Sequence, residues 1–516
     1  MTTSPEAPAG APEAAADQER HLRTDHLLVG GLGERTARGA VVTLVSQALK
    51  FLISLSGTVI LARLLTPEDY GLIGMVAVFI GFIGVFKDFG LSAATVQRAE
   101  VSHAQVTNLF WVNLTIGVIL ALVLAAAAPG LARFYGDSRL TVIADVLAIG
   151  FLLGGLTNQH EALLRRQMRF TSLAIVEIVA MLASVCTAVS LAWYGARYWS
   201  LVFSQIALGA ATTACVWMLS GWRPGLPTRR SGVRSMLIFG GHLTGFSVIN
   251  YWARNLDNLL IGRVWGASQL GLYSRAYQLL LLPIDQITAP ITAVAVPALS
   301  RLADSPERYR QAYLRILAKL AMVTMPLMAF LIVTSDWIVR LVLGSQWMGV
   351  SPIFAWLGLA GLIQPLSSTA GWLLITQDRT REMLQWGTIG CTIIIASICA
   401  GLPWGALGVA VSYSLCNVLI VQPFLLWFVS RTGPVRASDV LRAIAPAACA
   451  SLCLFAALGL LRLSLDAVAA PRGLALAAAV AILVVPLVFL VLPSGRLVLL
   501  DTASSLRGIV SFRRSP

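Results

Sequence analysis

Long apolar runs separated by short polar breaks fill the chain from Gly39 to about residue 493. Each run is close to the ~20 residues that an α-helix needs to cross the hydrocarbon core of a bilayer. Soluble domains carry about 25% charged residues, whereas this chain has 12% charged and 57% hydrophobic residues. The chain is therefore predicted to be an all-α polytopic membrane protein. We place about fourteen transmembrane helices at 39–63, 70–94, 107–129, 139–158, 171–194, 199–221, 235–262, 271–298, 312–334, 349–376, 384–402, 404–429, 440–461 and 473–493.

The net charge of +14 does not indicate nucleic-acid binding, because the basic residues lie between apolar runs rather than on one domain. Alternate breaks carry most of the arginines, as at Arg165, Arg166 and Arg169. The positive-inside rule therefore places these breaks and both termini in the cytoplasm. Residues 1–36, rich in Ala, Pro, Glu and Gly, are predicted to be a disordered cytoplasmic tail. Residues 494–516 are predicted to be a basic cytoplasmic tail.

An internal repeat is visible where two of the predicted spans end and the next begin. Arg63, Gly71 and Leu72 recur at the same mutual spacing as Arg263, Gly271 and Leu272. Six spans separate the two segments, so the halves have the same orientation, as in parallel repeats. The alternative is coincidence among common residue types. The repeat predicts two pseudo-symmetric six-helix lobes and a C-terminal pair: an N-lobe at 37–222, a C-lobe at 223–432 and spans 13 and 14 at 433–493.

The first span carries one polar stripe, formed by Thr43, Gln47, Lys50, Ser54 and Gly57 at helical spacing. An ionisable side chain inside a membrane is costly unless it faces a polar cavity or a partner. The helix itself offers Lys50 no acid three or four positions away. We therefore interpret Lys50 and Gln47 as residues of a substrate-binding cavity. The alternative is a seam of small residues between helices, with Lys50 reaching towards the interface.

Two further groups of charges lie in or beside apolar spans. Asn250, Arg254 and Asp257 form a stripe on the seventh span. Arg254 and Asp257 can pair along the helix, or Arg254 can donate a fork of hydrogen bonds to a phosphate; both interpretations stay open. Lys87 and Asp88 lie at the cytoplasmic end of the second span. Lys87 is either a further cation of the cavity or a residue that reaches the interface, and Asp88 is a candidate charge partner.

Asp145, Glu177 and Asp285 are further acids in apolar segments. Each could bind a proton or a sodium ion for coupling, although a position near a helix end explains each of them nearly as well. The sequence contains no P-loop, so we do not expect an ATP-driven pump. No metal-ligand spacing or catalytic triad stands out, and no cofactor is expected. The predicted outer loops are too short to hold the active site of a polysaccharide polymerase or ligase.

Five segments together resemble a known family. They are L-A-R-L-L-T-P-E-D-Y-G-L at 61–72, D-F-G-L-S-A-A-T-V-Q-R at 88–98, A-R-N-L-D-N-L-L-I-G-R at 253–263, G-L-Y-S-R-A-Y-Q-L at 271–279 and L-G-S-Q-W at 343–347. The set is similar to Wzx-type lipid-linked oligosaccharide flippases, in the colanic- and teichuronic-acid-exporter-like branch of the multidrug/oligosaccharidyl-lipid/polysaccharide (MOP) superfamily. The resemblance covers roughly residues 38–493.

The resemblance implies fourteen helices in a MATE-like fold, with two lobes around a central cavity. It also implies a bacterial inner-membrane protein that moves undecaprenyl-diphosphate-linked glycans to the outer leaflet by alternating access. Lys50, Arg254 and Lys87 would then bind the diphosphate. Membrane lipids, a polysaccharide polymerase and glycosyltransferases are the implied partners, and a proton or sodium gradient or consumption of the product would drive transport. The alternatives are an exporter of lipid II or a drug, or a membrane polymerase or ligase.

Overall fold

The computed structural model describes residues 32–87, 92, 95–96, 101–227, 234–464 and 470–512; side chains at 32–44, 234–250, 253 and 505–512 lie outside the description. All regular secondary structure in these residues is helical. We number the α-helices α1 (Leu32–Leu64), α2 (Pro67–Gly84), α3 (His103–Tyr135), α4 (Arg139–Arg166), α5 (Phe170–Trp193), α6 (Tyr198–Ser220), α7 (Arg234–Ser300), α8 (Pro306–Val333), α9 (Ser335–Val342), α10 (Val350–Leu362), α11 (Gln364–Thr376), α12 (Thr380–Gly401), α13 (Gly405–Cys416), α14 (Gln422–Ser430), α15 (Ala437–Leu463), α16 (Ala470–Val491) and α17 (Pro493–Phe512).

The described helices confirm a polytopic all-α membrane protein. Eleven of its helical segments are long and apolar enough to cross a membrane, or twelve if α10 and α11, bent by 40° at their junction, form one span. Two of these segments, Arg254–Ser300 and Thr380–Ser430, have 47 and 51 residues. At 1.5 Å per residue, each is about twice as long as a bilayer core is thick. The predicted number of fourteen helices is therefore approximate, but compatible with these segments.

Helix α1 begins earlier than the sequence analysis predicts. The predicted disordered tail ends at residue 36, whereas the helix already includes Leu32. The extra residues include Leu32, Glu34 and Arg35, which are good helix formers, so the helix continues beyond its apolar part. The rest of the predicted tail lies outside the described residues.

The T-P-E-D-Y-G segment starts α2 with a capping box. Thr66 has extended backbone angles, and its hydroxyl accepts a hydrogen bond from the backbone N–H of Asp69 at 3.4 Å. The Asp69 carboxylate in turn accepts from the backbone N–H of Thr66 at 2.9 Å. Pro67 occupies the first turn, where the helix has no use for its missing N–H. The backbone N–H groups of Thr66 and Asp69, which have no partner within the helix, thus receive side-chain acceptors. This capping explains the T-P-E-D part of the motif.

The chain divides into two compact units, Met1–Ala267 and Ser268–Pro516. The boundary lies beside Gly266, where α7 is broken by a backbone with φ 78° and ψ −176°. The part of α7 before this break belongs by its contacts to the first unit, although the sequence analysis assigns the seventh span to the C-lobe. The Tyr251 hydroxyl, for example, donates to the Val78 carbonyl at 2.6 Å. The lobe boundaries at 222/223 and 432/433 remain predictions, because a compact unit and a repeat are different properties.

Matching backbone features in the two units support the internal repeat. Thr66 and Gly266 stand at equivalent positions of the repeat, and both interrupt a helix between two spans. Connections later in the chain also match. The two members of each pair there are slightly further apart in sequence than Thr66 and Gly266, and by the same number of residues in both pairs. Met168 and Asp378 precede α5 and α12 with φ of 52° and 53°. Gly195 lies shortly before α6 and Gly405 is the first residue of α13, with φ of 79° and 76°. The number of residues between paired positions becomes larger after the short helix α9. The first unit has no such helix between the described helices α3 and α4.

Close helix packing through glycine holds α3 against α4 in the first unit. A Cβ atom on Gly117 would lie 2.6 Å from the carbonyl oxygen of Phe151, and one on Gly155 would lie 2.9 Å from that of Asn113. Both distances are shorter than a van der Waals contact, so only glycine permits this separation. Small residues at helix interfaces are a general device for packing in membranes.

An ion-pair cluster joins two connections of the first unit. The Arg139 guanidinium contacts the carboxylates of Glu68 and Asp137, each at 2.7 Å. Asp137 lies between α3 and α4, outside the spans, and its hydrogen bonds from Arg139 hold the pKa of its carboxyl below the usual range. The cluster therefore ties the start of α2 to the start of α4.

Candidate functional site

Helices α1 and α5 pack side by side and bring two opposite charges together. A Cβ on Gly57 would lie 3.1 Å from the Val185 side chain, which shows how closely the helices approach. About two turns before this contact along both helices, the Lys50 ammonium lies 2.5 Å from the Glu177 carboxylate. The side chain of Lys50 is 19% exposed and that of Glu177 is 50% exposed. Glu177, named above as a possible ion-coupling acid, thus reaches Lys50 from a helix 127 residues further along the chain.

A cavity of about 370 Å³ lies beside this ion pair, within the first unit. Ligand pockets usually have volumes of about 300–1,000 Å³. We call it the α1–α5 cavity. It is lined by Ser46 and Gln47 of α1, Arg165 of α4, and Phe170, Leu173, Ala174 and Glu177 of α5. The cavity therefore combines a cation, an anion, two small polar groups and an apolar wall.

Arg165 contributes the positive charge of the cavity lining. Its guanidinium lies 3.6 Å from the Glu161 carboxylate, one turn earlier on α4, and its side chain is 60% exposed. A separation of 3.6 Å is too long for a hydrogen bond, and exposed pairs of this kind are weak. Arg165 therefore has donors available for an anion that enters the cavity.

Lys87 lies against α4 rather than away from the helices. Its aliphatic chain crosses Gly154, where a Cβ would collide with the Lys87 Cε. Its charge is close enough to Glu161 to interact with it, as are those of Arg165 and Glu177. Lys50, Lys87 and Arg165 thus belong, with two acids, to one group of charges drawn from α1, the end of α2, α4 and α5.

An aromatic cluster fixes the end of α4 that carries Glu161 and Arg165. His160 is fully buried, with its ring 4.6 Å from that of Trp217 and 5.1 Å from that of Trp222. Its Nδ1 lies 2.8 Å from the Ser220 hydroxyl of α6. Because His160 is anchored in this way, Glu161 and Arg165 are held at fixed positions further round α4, about 100° and 140° from His160.

The polar stripe of α1 runs along both a helix seam and a cavity wall, and its role in substrate binding stays a prediction. Its later part, at Gly57, packs in a seam with α5. Its earlier part, at Gln47, lines the α1–α5 cavity, and Lys50 lies between the two parts. Sequence reasoning used Arg165 only to orient the membrane and did not select Glu161. The helical spacing of Glu161 and Arg165, one turn apart, was the available signal.

The other predicted site residues do not line this cavity. Arg254 is exposed on α7, and the partly buried Asp257 accepts a hydrogen bond from the Asn258 N–H at 2.8 Å. Asp145 is exposed near the start of α4, more than four helical turns before Glu161. Asp285 is exposed in the second unit.

Two predicted site residues cannot be placed. Asp88 and the side chain of Asn250 lie outside the described residues. Among the side chains that the structure does describe, no group of three or more His, Cys, Asp and Glu residues could hold a metal ion.

Comparison with known proteins identifies relatives along most of the chain. It is 28% identical over 406 residues to the lipopolysaccharide biosynthesis protein WzxC of Escherichia coli K12, covering 77% of this chain and 81% of that protein. It is 26% identical to the teichuronic acid biosynthesis protein TuaB of Bacillus subtilis 168, covering 76% and 82%. It is 24% identical to the succinoglycan biosynthesis transport protein ExoT of Rhizobium meliloti 1021, covering 66% and 72%.

Solved structures agree on the fold. The lipid II flippase MurJ in an inward closed conformation matches with a TM-score of 0.67 and 15% identity, over 88% of this chain and 98% of that chain. An inward-facing multidrug-resistance MATE transporter of the MOP superfamily matches with a TM-score of 0.59 and 14% identity, over 76% and 95%. At these identities the match concerns the fold alone, and it confirms the predicted MOP/MATE-like fold.

The family described as "Polysaccharide biosynthesis protein" matches residues 60–352, which is more than half of the chain. This range begins near the end of α1 and includes Lys87, Glu161, Arg165 and Glu177. The chain is a multi-pass membrane protein that belongs to the polysaccharide biosynthesis protein family.

Proposed function

We propose that the protein is a flippase, and not an enzyme, that moves oligosaccharides linked to polyprenyl diphosphate across the bacterial plasma membrane. The observation that carries this proposal is the α1–α5 cavity, which Arg165 and Glu177 line, with Lys50 paired to Glu177 beside it. Relatives that are named for polysaccharide biosynthesis and transport support the same class of substrate.

A diphosphate head group matches the donors of this cavity. The Arg165 guanidinium offers a planar fork of N–H groups, and the Lys50 ammonium offers three donors on a flexible stem. Ser46 and Gln47 add neutral polar groups at the same wall, and Phe170 and Leu173 add apolar surface. The polyprenyl tail can stay in the lipid while the cations bind the head group.

The depth of the ion pair fits the capture of a lipid head group. Glu177 lies seven residues after the first residue of α5, about 10 Å along the helix. The hydrocarbon core is about 30 Å thick, so the pair lies in the third of the membrane nearer the α4–α5 connection. Arg166 ends α4 and Arg169 lies in this connection, which is predicted to be cytoplasmic. The cavity would then receive substrate from the leaflet in which lipid-linked sugars are assembled.

The remaining parts of the proposal concern topology and energy. Both termini are cytoplasmic, and transport proceeds by alternating access. A proton or sodium gradient, or consumption of the product by a polymerase, drives it. Arg254, Asn250 and Asp257 bind substrate or exchange ions at a later stage, and Asp88, Asp145 and Asp285 are further candidates for ion coupling.

Deletion of the gene tests the proposal. We expect a lipid-linked oligosaccharide to accumulate on the cytoplasmic leaflet and the surface polysaccharide to disappear, with both restored by the wild-type gene. Accumulation of lipid II would instead identify a peptidoglycan precursor flippase. Sensitivity to drugs with normal polysaccharide would identify a drug exporter. Loss of polymer with the repeat unit already on the outer leaflet would indicate a polymerase or ligase.

A further inference from the structure

Glu177 separates Lys50 from the α1–α5 cavity. Among the described residues that line the cavity, Glu177 is present and Lys50 is not. Half of the Glu177 side chain is exposed, against about a fifth of the Lys50 side chain, and the two charged groups are 2.5 Å apart. The carboxylate therefore covers the ammonium on the side from which a ligand in the cavity would approach.

The carboxylate and a lipid phosphate compete for the same donors. Both are anions with several acceptor oxygens, and both make charge-assisted hydrogen bonds with an ammonium group. Because Glu177 occupies the side of the Lys50 ammonium that faces the cavity, a phosphate can take that position only if the Glu177 side chain turns away. Its exposed half leaves it room for that movement within the cavity.

Arg165 sets the order of the displacement. It lines the same cavity and is 60% exposed, and within the described part of the chain its ion pair is a 3.6 Å contact with Glu161. An incoming diphosphate would therefore meet Arg165 first. Its second phosphate would then replace the Glu177 carboxylate at Lys50, and the displaced carboxylate would stay in the polar cavity.

We propose that Glu177 is a built-in competitor, which occupies Lys50 in the empty protein and yields it to the diphosphate of a lipid. This inference rests on the proposed function, since it assigns the order of binding at the same cavity. Lipids without an anion of comparable strength cannot displace Glu177, so the residue sets specificity. When the pair closes again it expels the head group, so Glu177 also favours release of the product.

The competition lowers the apparent affinity for the lipid. The apparent affinity equals the intrinsic affinity multiplied by the fraction of time for which Lys50 is available. If the pair is open for about a tenth of the time, removal of the Glu177 charge strengthens binding about tenfold. The gain must require Lys50, because it arises from the release of that residue. A general electrostatic effect of one lost negative charge would not depend on Lys50.

Binding of fluorescent undecaprenyl diphosphate to the purified full-length protein in nanodiscs tests the inference. Glu177→Gln should bind about tenfold more tightly than wild type, and Lys50→Gln should bind more weakly. In a double-mutant cycle, Glu177→Gln should bring no gain in the Lys50→Gln background. Glu68→Gln is the matched control, because it removes a carboxylate from the ion pair with Arg139 elsewhere in the first unit. This variant should bind like wild type.

Three results would overturn the inference. They are unchanged affinity of Glu177→Gln, an equal gain in the Lys50→Gln background, and a similar gain for Glu68→Gln. If inorganic pyrophosphate competes with the fluorescent probe as well as unlabelled undecaprenyl diphosphate does, the assignment of the cavity to a lipid is contradicted. If wild type itself does not bind undecaprenyl diphosphate, the proposed function fails. If wild type binds and Lys50→Gln does not, but Glu177→Gln shows no gain, only the role of Glu177 fails.

Discussion

Arg169 and Arg379 make the same contact in the two units. Arg169 donates from its guanidinium to the carbonyl of Leu219 at 2.8 Å, and Arg379 donates to that of Val429 at 3.1 Å. The number of residues between Leu219 and Val429 is the same as that between Arg169 and Arg379. In both units the arginine follows a residue with positive φ. Arg169 ties the start of α5 to the end of α6, and Arg379 ties the start of α12 to the end of α14. A shared contact of this detail indicates duplication of a structural unit rather than a chance match of residue types.

Removal of either arginine should destabilise the protein. Hydrogen bonds from charged groups contribute about 1.5–3 kcal/mol. Arg379→Ala should cost more than Arg169→Ala, because the Arg379 side chain is only 11% exposed and also pairs with Glu382 at 2.6 Å. Thermal unfolding of the purified protein measures the effect. Arg381→Ala, at an exposed neighbouring position, is the control, and equal loss of stability there would show that the contacts are not responsible.

Gly154→Ala should impair export by displacing Lys87. The new methyl group would occupy the space of the Lys87 chain, and the flexible side chain would move its ammonium away from Glu161. Because a side-chain end can yield easily, stability should change little while export falls severalfold. Gly150→Ala is the matched control on the same helix, since a Cβ there has nothing within 4 Å. Normal export by Gly154→Ala would remove Lys87 from the site.

Gly117→Ala should have the opposite pattern, with a loss of stability. Its methyl group would press on the backbone of Phe151, which cannot yield as a side chain can. Overpacking of this kind typically costs about 1–3 kcal/mol. Gly130→Ala on the same helix meets nothing within 4 Å and should be neutral. The melting temperature of the purified variants separates them, and a Gly117→Ala protein as stable as wild type would argue against the close α3–α4 packing.

Cysteine labelling should establish the orientation. On a Cys-free background, an impermeant thiol reagent added outside the cell should miss a cysteine in place of Ser231 and modify one in place of Ser268. Ser231 lies outside the described residues, whereas Ser268 follows the break in α7. The expectation comes from the arginine-rich break around Arg229 and Arg230. The reverse labelling pattern would invert the topology and place the α1–α5 cavity near the outer leaflet.

The sequence was sufficient to predict the fold but only part of the cavity. Apolar runs near bilayer length predict membrane helices directly, because length and burial in lipid determine them. The stripe of α1 predicted that Gln47 and Lys50 share a face. Periodicity along one helix, however, cannot find the partner of Lys50. Glu177 is 127 residues away, and the pairing depends on the register of α1 against α5.

Lys87 and Arg165 illustrate the same limit. At a helix end, a lysine that reaches the interface and one that crosses a neighbouring helix have the same local sequence. The decisive feature was Gly154 on α4, which leaves room for the Lys87 chain. Arg165 stood among arginines that report topology, and only the packing of α4 against α5 places it at a cavity wall.

The central claim is that cations of the α1–α5 cavity move a lipid-linked oligosaccharide across the membrane. The most direct measurement is the fraction of that lipid which an impermeant probe reaches on spheroplasts of a deletion strain carrying Lys50 variants. Protein abundance is measured in the same cells. We predict that Lys50→Ala reaches normal abundance but leaves the lipid inaccessible, and that Lys50→Arg restores part of the accessible fraction. A Lys50→Ala protein that exposes as much lipid as wild type would contradict the account.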